Sequence, residues 1–188
     1  YWVSYKALAQ LAGGIVKTVQ AGIESDFKIT PDQLEEAISP NTKLIMYSSP
    51  SNPTGGSYSM EEMEELANVI AANPHVTVMA DEIYEHISFA GDHVSLASFD
   101  QVYDQVVTVN GVSKAYAMTG WRIGYMGAPA HIAKACIKIQ GQLTSGASTI
   151  SQRAAVAALS TPDSLLKEQR EVFRKRRDLV VSLFKKIP

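Results

Sequence analysis

Lys114 and Arg122 stand in Val112–Tyr125, Val-Ser-Lys-Ala-Tyr-Ala-Met-Thr-Gly-Trp-Arg-Ile-Gly-Tyr, a run otherwise made of apolar and small residues. A lysine amine held among apolar neighbours is a candidate nucleophile. It condenses with carbonyls to form a Schiff base, and desolvation frees its lone pair near neutral pH. Taken alone, Lys114 reads as an ordinary solvated loop lysine. Two further polar groups change the weighing: Asp81-Glu82-Ile83-Tyr84, and Asn52 within Ser48–Gly56.

Those residues need elements to position them. Lys43–Tyr47 is a continuous apolar run and reads as a buried strand, followed by a Ser/Pro/Gly-rich stretch to Gly56 that regular structure cannot accommodate. Val76–Ala80 runs as a strand straight into Asp81, and Gln105–Asn110, with Val106–Val109 at its centre, ends just before Lys114. The starts of these strands lie about 30 residues apart, the period of βαβ units and so of a parallel sheet carrying helices. Parallel strands place their C-terminal ends on one edge. Asn52, Asp81 and Lys114 therefore converge on one crevice, where open α/β sheets bind ligands.

Around that sheet the pattern predicts a short helix over Ser4–Leu11 stopped by Gly13-Gly14, a half-exposed strand over Ile15–Val19, and a helix over Asp32–Ile38 opened by Thr30-Pro31. Met60–Ala72 is a helix announced by the capping box Ser59/Glu62. Ile123–Ala128 reads as a fourth strand, antiparallel because the link from Asn110 is too short for a crossover helix. Ala130–Gln142 and Ile150–Leu159 are predicted helices. Asp163–Ile187 is a long amphipathic helix whose basic run Arg174–Arg177 follows Glu168 and Glu171 by one turn, as on a solvated face.

Composition bounds the function. The 188 residues are 46% hydrophobic and 19% charged with a formal net charge of −2, as in ordinary soluble globular proteins. Nothing in that balance points to nucleic acid or a membrane. Cys136 is the single cysteine, so a disulfide framework or cysteine metal site is ruled out and a reducing cytoplasm is expected. His75, His86, His93 and His131 lack metal-like spacing, and Gly55-Gly56 forms no nucleotide fingerprint. Beginning Tyr-Trp-Val-Ser-Tyr without a methionine, the chain is expected to be a piece of a longer protein.

A crevice with an amine, a carboxylate, an amide, a phenol and a guanidinium suits a cofactor that is at once aldehyde, basic heterocycle and phosphate. Pyridoxal phosphate has those handles. Lys114 would take the aldehyde, Asp81 would keep the ring nitrogen protonated so that the ring acts as an electron sink, and Arg122 would pair with the phosphate. Hydrogen bonds from Tyr84 and Asn52 would stabilise the ring oxygen.

At these residues the sequence resembles a known family. Asn52-Pro53-Thr54-Gly55, Asp81-Glu82-Ile83-Tyr84, and Ser113-Lys114 with Met118-Thr119-Gly120-Trp121-Arg122-Ile123-Gly124-Tyr125 are similar to the motifs of class I/II aminotransferases of the aspartate aminotransferase fold type. The resemblance covers nearly the whole chain in order and spacing. It implies an α/β fold, a mostly parallel sheet flanked by helices, forming an incomplete pyridoxal-phosphate-binding large domain. Residues 1–162 would be its central part and 163–188 a long helix leading towards an absent small domain.

It further implies that Lys114 moves the proton at the substrate α-carbon, that Asp81, Tyr84, Asn52 and Arg122 hold the cofactor as above, and that Trp2 stacks on its ring. One departure is Gly111, where many members carry a phosphate-binding serine. The implied activity is amino-group transfer between an amino acid, aspartate first, and a 2-oxo acid such as 2-oxoglutarate, in a homodimer. A lyase or decarboxylase relative, or the aminotransferase-like sensor domain of a transcription regulator, shares Lys114 and stays open at this point.

Overall fold

The computed structural model describes residues 1–89 and 91–187. Its elements are α1 (Ser4–Leu11), α2 (Pro31–Ala37), β1 (Leu44–Ser48), α3 (Met60–Ala71), β2 (Thr77–Asp81), β3 (Val106–Gly111), β4 (Gly124–Gly127), α4 (Ala130–Leu143), α5 (Thr149–Leu159) and α6 (Asp163–Phe184), with short 3-10 turns between. The sheet runs β1-β2-β3-β4. β1, β2 and β3 are parallel neighbours and β4 is antiparallel to β3.

Local chemistry explains the helix starts. Thr30 and Ser59 each accept a hydrogen bond from the backbone three residues on, while Gln33 and Glu62 reach back to the cap backbone, so two orphan donors are satisfied reciprocally at each start. Pro31 occupies the first turn of α2, where its missing N–H costs nothing. The end of α3 is tied down from elsewhere: the Gln105 side chain donates to the carbonyls of Ile70, Asn73 and Val76 at 3.2, 3.0 and 2.9 Å. That one side chain fixes the helix end relative to the start of β2.

Val78 and Ala80 of β2, fully buried, face Leu34, Met63, Leu66, Ala67 and Ile70 from α2 and α3, with Leu96, Val102 and Val106 completing the core. Removing such area from water is worth about 25 cal/mol per Å². Beyond β3 a smaller cluster packs Val112 against Ala155 and Ala158 of α5, flanked by Tyr116, Met118 and Ile123.

The structure departs from the sequence reading in three places. Ile15–Val19 is not a strand, because no neighbouring strand takes its backbone hydrogen bonds, and Ile15 is fully exposed. β1 is an edge strand of the four and only half-buried, with Leu44 exposed, where a buried strand was expected. The link from β2 to β3 holds 3-10 turns (Glu85–Ile87, Leu96–Ser98, Asp100–Gln105) in place of an α-helix. α6 has no buried residue. Its apolar Leu179, Val180, Leu183 and Phe184 are exposed, while Arg174 pairs with Glu171 at 3.3 Å. Among the described residues, no helix is long and apolar enough to cross a membrane.

Candidate active site

Ser48, the last residue of β1, is in register with Asp81, the last of β2, and Asp81 with Val109 of β3. Three strand ends thus share one edge, and each delivers a loop carrying a candidate residue. Backbone bonds hold the loops in step: Ser49 N–H donates to the Asp81 carbonyl at 3.2 Å and Glu82 N–H to the Val109 carbonyl at 2.9 Å.

Asn52 and Tyr84 meet directly, the Asn52 amide donating to the Tyr84 hydroxyl at 3.1 Å. Lys114 Nζ lies over the same tyrosine ring, 5.7 Å from its centroid. These three residues form one group at the crevice. Lys114 itself is exposed, so the expectation of an amine desolvated by apolar neighbours does not hold in this chain. Its neighbours are the buried ones: Val112 and Ala115, at 0% and 3% exposure, pin the turn on either side and leave the amine free to face the open edge.

Asp81 is half-buried and belongs to a second group. One carboxylate oxygen accepts the Ile83 N–H at 3.2 Å, and the other accepts the Tyr5 hydroxyl. Tyr5 is buried and meets Trp2 edge to face, ring centroids 6.0 Å apart. Burial first, then the hydrogen bond to Asp81 and its charge, push the Tyr5 phenol far above the ordinary tyrosine range, with Ser48 opposing, so it is a donor at any working pH. Trp2 is half exposed.

Arg122 stands apart. Its guanidinium donates to the Thr119 carbonyl at 3.0 Å, and no other hydrogen bond or ion pair ties it to the site among the described residues. Its backbone, like that of Ala117, adopts the left-handed region, φ 57 and 52. Such conformations cost about 1–3 kcal/mol in a non-glycine residue and cluster at functional segments. Gly111 has no room for a side chain: a Cβ would sit 2.9 Å from the Ile123 carbonyl oxygen and 3.2 Å from Gly124 Cα. At Gly111, β3 thus passes close to the backbone entering β4.

Three features escaped the sequence reading. Tyr5 carried a signal in its place three residues after Trp2, one helical turn away. Asn110 donates to Glu85 at 2.7 Å and accepts the Gly111 N–H at 2.7 Å, bracing the entry to the Lys114 loop. Arg177 of α6, its guanidinium 4.7 Å from the Phe89 ring centroid, lines a cleft of about 550 Å³ with Asn52 and Tyr84. That cleft lies beside the site, since Lys114, Asp81, Arg122 and Trp2 do not line it. Ligand atoms of Glu82, Glu85 and His93 lie within 4.8 Å of one another. Glu82 there is already engaged by the Ser95 hydroxyl at 2.7 Å and His93 at 3.1 Å.

The whole chain, sheet edge included, is similar to known proteins. The model of the family described as "Aminotransferase class I and II" matches residues 1–188. The chain belongs to the class I and II aminotransferases. An aspartate/prephenate aminotransferase of Cereibacter sphaeroides is 49% identical over 185 residues, which cover 97% of this chain and 46% of that protein. A bifunctional aspartate aminotransferase and glutamate/aspartate-prephenate aminotransferase of Petunia hybrida is 46% identical over 191 residues, covering 100% of this chain and 40% of that protein. Among solved structures, the aspartate aminotransferase of Rhizobium meliloti superposes with a TM-score of 0.93 at 43% identity, over 97% of this chain and 46% of the other. That of Thermus thermophilus with maleate gives 0.91 at 39% identity, over 97% and 48%. The chain spans about half the length of the curated relatives it matches. The α/β fold with a mixed sheet flanked by helices is that of this aminotransferase family.

Proposed function

We propose that this chain is the cofactor-holding part of an enzyme that moves an amino group between an amino acid, aspartate first, and a 2-oxo acid, with pyridoxal phosphate held at Lys114. The observation carrying the reading is the grouping of the Lys114 amine over Tyr84, itself bonded to Asn52, on the strand edge that Asp81 ends. When bound, pyridoxal phosphate supplies an aldehyde for the amine and a protonated ring that draws electrons from the substrate α-carbon.

The residues present fit that group. Lys114 offers an exposed amine. Asp81 has used one acceptor site on each oxygen and keeps others for a protonated ring nitrogen. Tyr84 accepts from Asn52 and so keeps its own proton to donate to an anionic ring oxygen. Arg122 brings a fixed positive charge suited to a phosphate. Trp2 provides an aromatic face.

In the reaction, the Lys114 amine, free once the substrate's amino group has taken its place, would accept the proton from the substrate α-carbon and give it back at the carbon that receives the amino group. Asp81 keeps its partner protonated during that step, and Tyr84 with Asn52 holds the developing negative charge by hydrogen bonds. Aspartate as donor is supported by the printed names of the relatives, and a dicarboxylate fit by the maleate in the Thermus thermophilus structure. A homodimer, with residues 163–188 leading towards a second domain, belongs to the same reading and is supported by the family resemblance; a reducing cytoplasm is supported by the single cysteine.

The test is product analysis with the whole protein: aspartate and 2-oxoglutarate should yield glutamate and a 2-oxo acid. An eliminated or decarboxylated product, with no amino group transferred, would replace this reading by a lyase or decarboxylase. Asp81→Ala should still take up cofactor at saturating concentration, with weakened affinity, and lose several powers of ten in turnover, because the electron sink is gone.

A further inference from the structure

Tyr5 lies 76 positions from Asp81 in sequence, yet its hydroxyl donates to Asp81 Oδ2, and it is among the best-buried aromatic residues of the chain, at 5% exposure. A phenol buried on an acidic partner needs a reason, because burial leaves the hydroxyl no water to turn to. Its surroundings supply one. The α1 helix carries Tyr5 in its first turn, and the Tyr5 N–H closes onto the Trp2 carbonyl at 3.1 Å. The ring also abuts the Trp2 indole at an interplanar angle of 86°. One side chain therefore touches both the carboxylate assigned to the ring nitrogen and the aromatic assigned to the ring face.

We propose that Tyr5 is a positioning residue: its hydroxyl fixes the rotamer of the Asp81 carboxylate and its ring sets the Trp2 indole, so that both meet a planar cofactor already oriented. The inference rests on the reading of Asp81 and Trp2 as cofactor contacts. Tyr5 Oη and the Ile83 N–H take one site on each Asp81 oxygen, which leaves the carboxylate a single favourable orientation with acceptor sites to spare. Without the phenol, Asp81 is anchored by Ile83 alone and turns more freely. Tyr5 itself touches no reacting atom, so its effect on cofactor passes through Asp81.

The experiment is a double-mutant cycle on the whole apo protein, reading the equilibrium affinity for pyridoxal phosphate by absorbance titration. Tyr5→Phe should weaken binding roughly three- to tenfold, the range of one lost charge-assisted hydrogen bond acting through an intermediary. In the Asp81→Asn background the same change should have no further effect. Equal losses in both backgrounds, or no loss in either, would overturn the proposal.

A second measurement needs no cofactor. The ultraviolet titration difference between the wild type and Tyr5→Phe isolates the Tyr5 phenol, and Asp81→Asn should bring its ionisation down to lower pH. An unmoved phenol would show that the pair does not form and would sink the proposal directly. A phenol that moves, with an affinity indifferent to Asp81→Asn, would uphold the pair but overturn both the cofactor reading of Asp81 and the positioning role built on it.

Discussion

The Asn52 amide and the Tyr84 hydroxyl, 32 residues apart in sequence, meet at 3.1 Å and join the loop after β1 to the turn after β2. Two strand ends are thereby coupled through a single hydrogen bond at the crevice, directly beneath the Lys114 amine. Asn52→Ala and Tyr84→Phe should each weaken pyridoxal phosphate binding about fivefold, in line with one net hydrogen bond of about 1 kcal/mol. Because the two act as a unit, the double variant should lose less than the product of the two, which a titration of all four proteins measures.

Gly111→Ala should destabilise the fold by about 1–3 kcal/mol, the range for overpacking. The new Cβ would meet the Ile123 carbonyl oxygen at 2.9 Å, Gly124 Cα at 3.2 Å and Ile83 Cδ1 at 3.3 Å, two of them backbone that cannot swing aside. Denaturant unfolding should show a lower midpoint with an unchanged slope. A midpoint equal to that of the wild type would show that β3 and β4 do not pass as closely as described.

Acid should loosen the start of α3. Burial raises the Glu62 carboxyl, but the Lys28 ammonium and the Ser59 N–H outweigh it, so the net shift is downward from 4.5. A depressed carboxylate contributes stability that is fully present above 4.5 and is lost as pH falls through the lower folded-state value. The gap in unfolding midpoint between the wild type and Glu62→Gln should therefore be constant from neutrality to about pH 5 and close below 4.5. Glu62 is partly exposed and salt will screen it, so the gap should also narrow at high ionic strength.

Local signals were legible where the responsible residues are neighbours in sequence. Ser59 with Glu62 announced α3, Thr30-Pro31 announced α2, and the spacing of three strands ending in Asn52, Asp81 and Lys114 placed those loops on one sheet edge. The short link from Asn110 to Ile123 made β4 antiparallel, as observed. Ile15–Val19 failed because alternation marks a half-exposed surface, and a strand also needs a partner that sequence alone does not identify. The exposure of Lys114 was hidden because its apolar neighbours Val112 and Ala115 are buried, Val112 against α5, while the amine is not. Tyr5 could not be joined to Asp81 across 76 positions, because the hydrogen bond between them depends on how the folded chain brings α1 to the end of β2.

Lys114, alone among the lysines, is placed to capture a carbonyl cofactor. This is tested by mixing the protein with pyridoxal phosphate, reducing with borohydride and mapping the adduct by mass spectrometry. One dominant adduct is expected on Lys114, abolished in Lys114→Ala and diminished in Tyr84→Phe. Label spread over surface lysines such as Lys17, Lys134 and Lys175, or undiminished in Lys114→Ala, would contradict it.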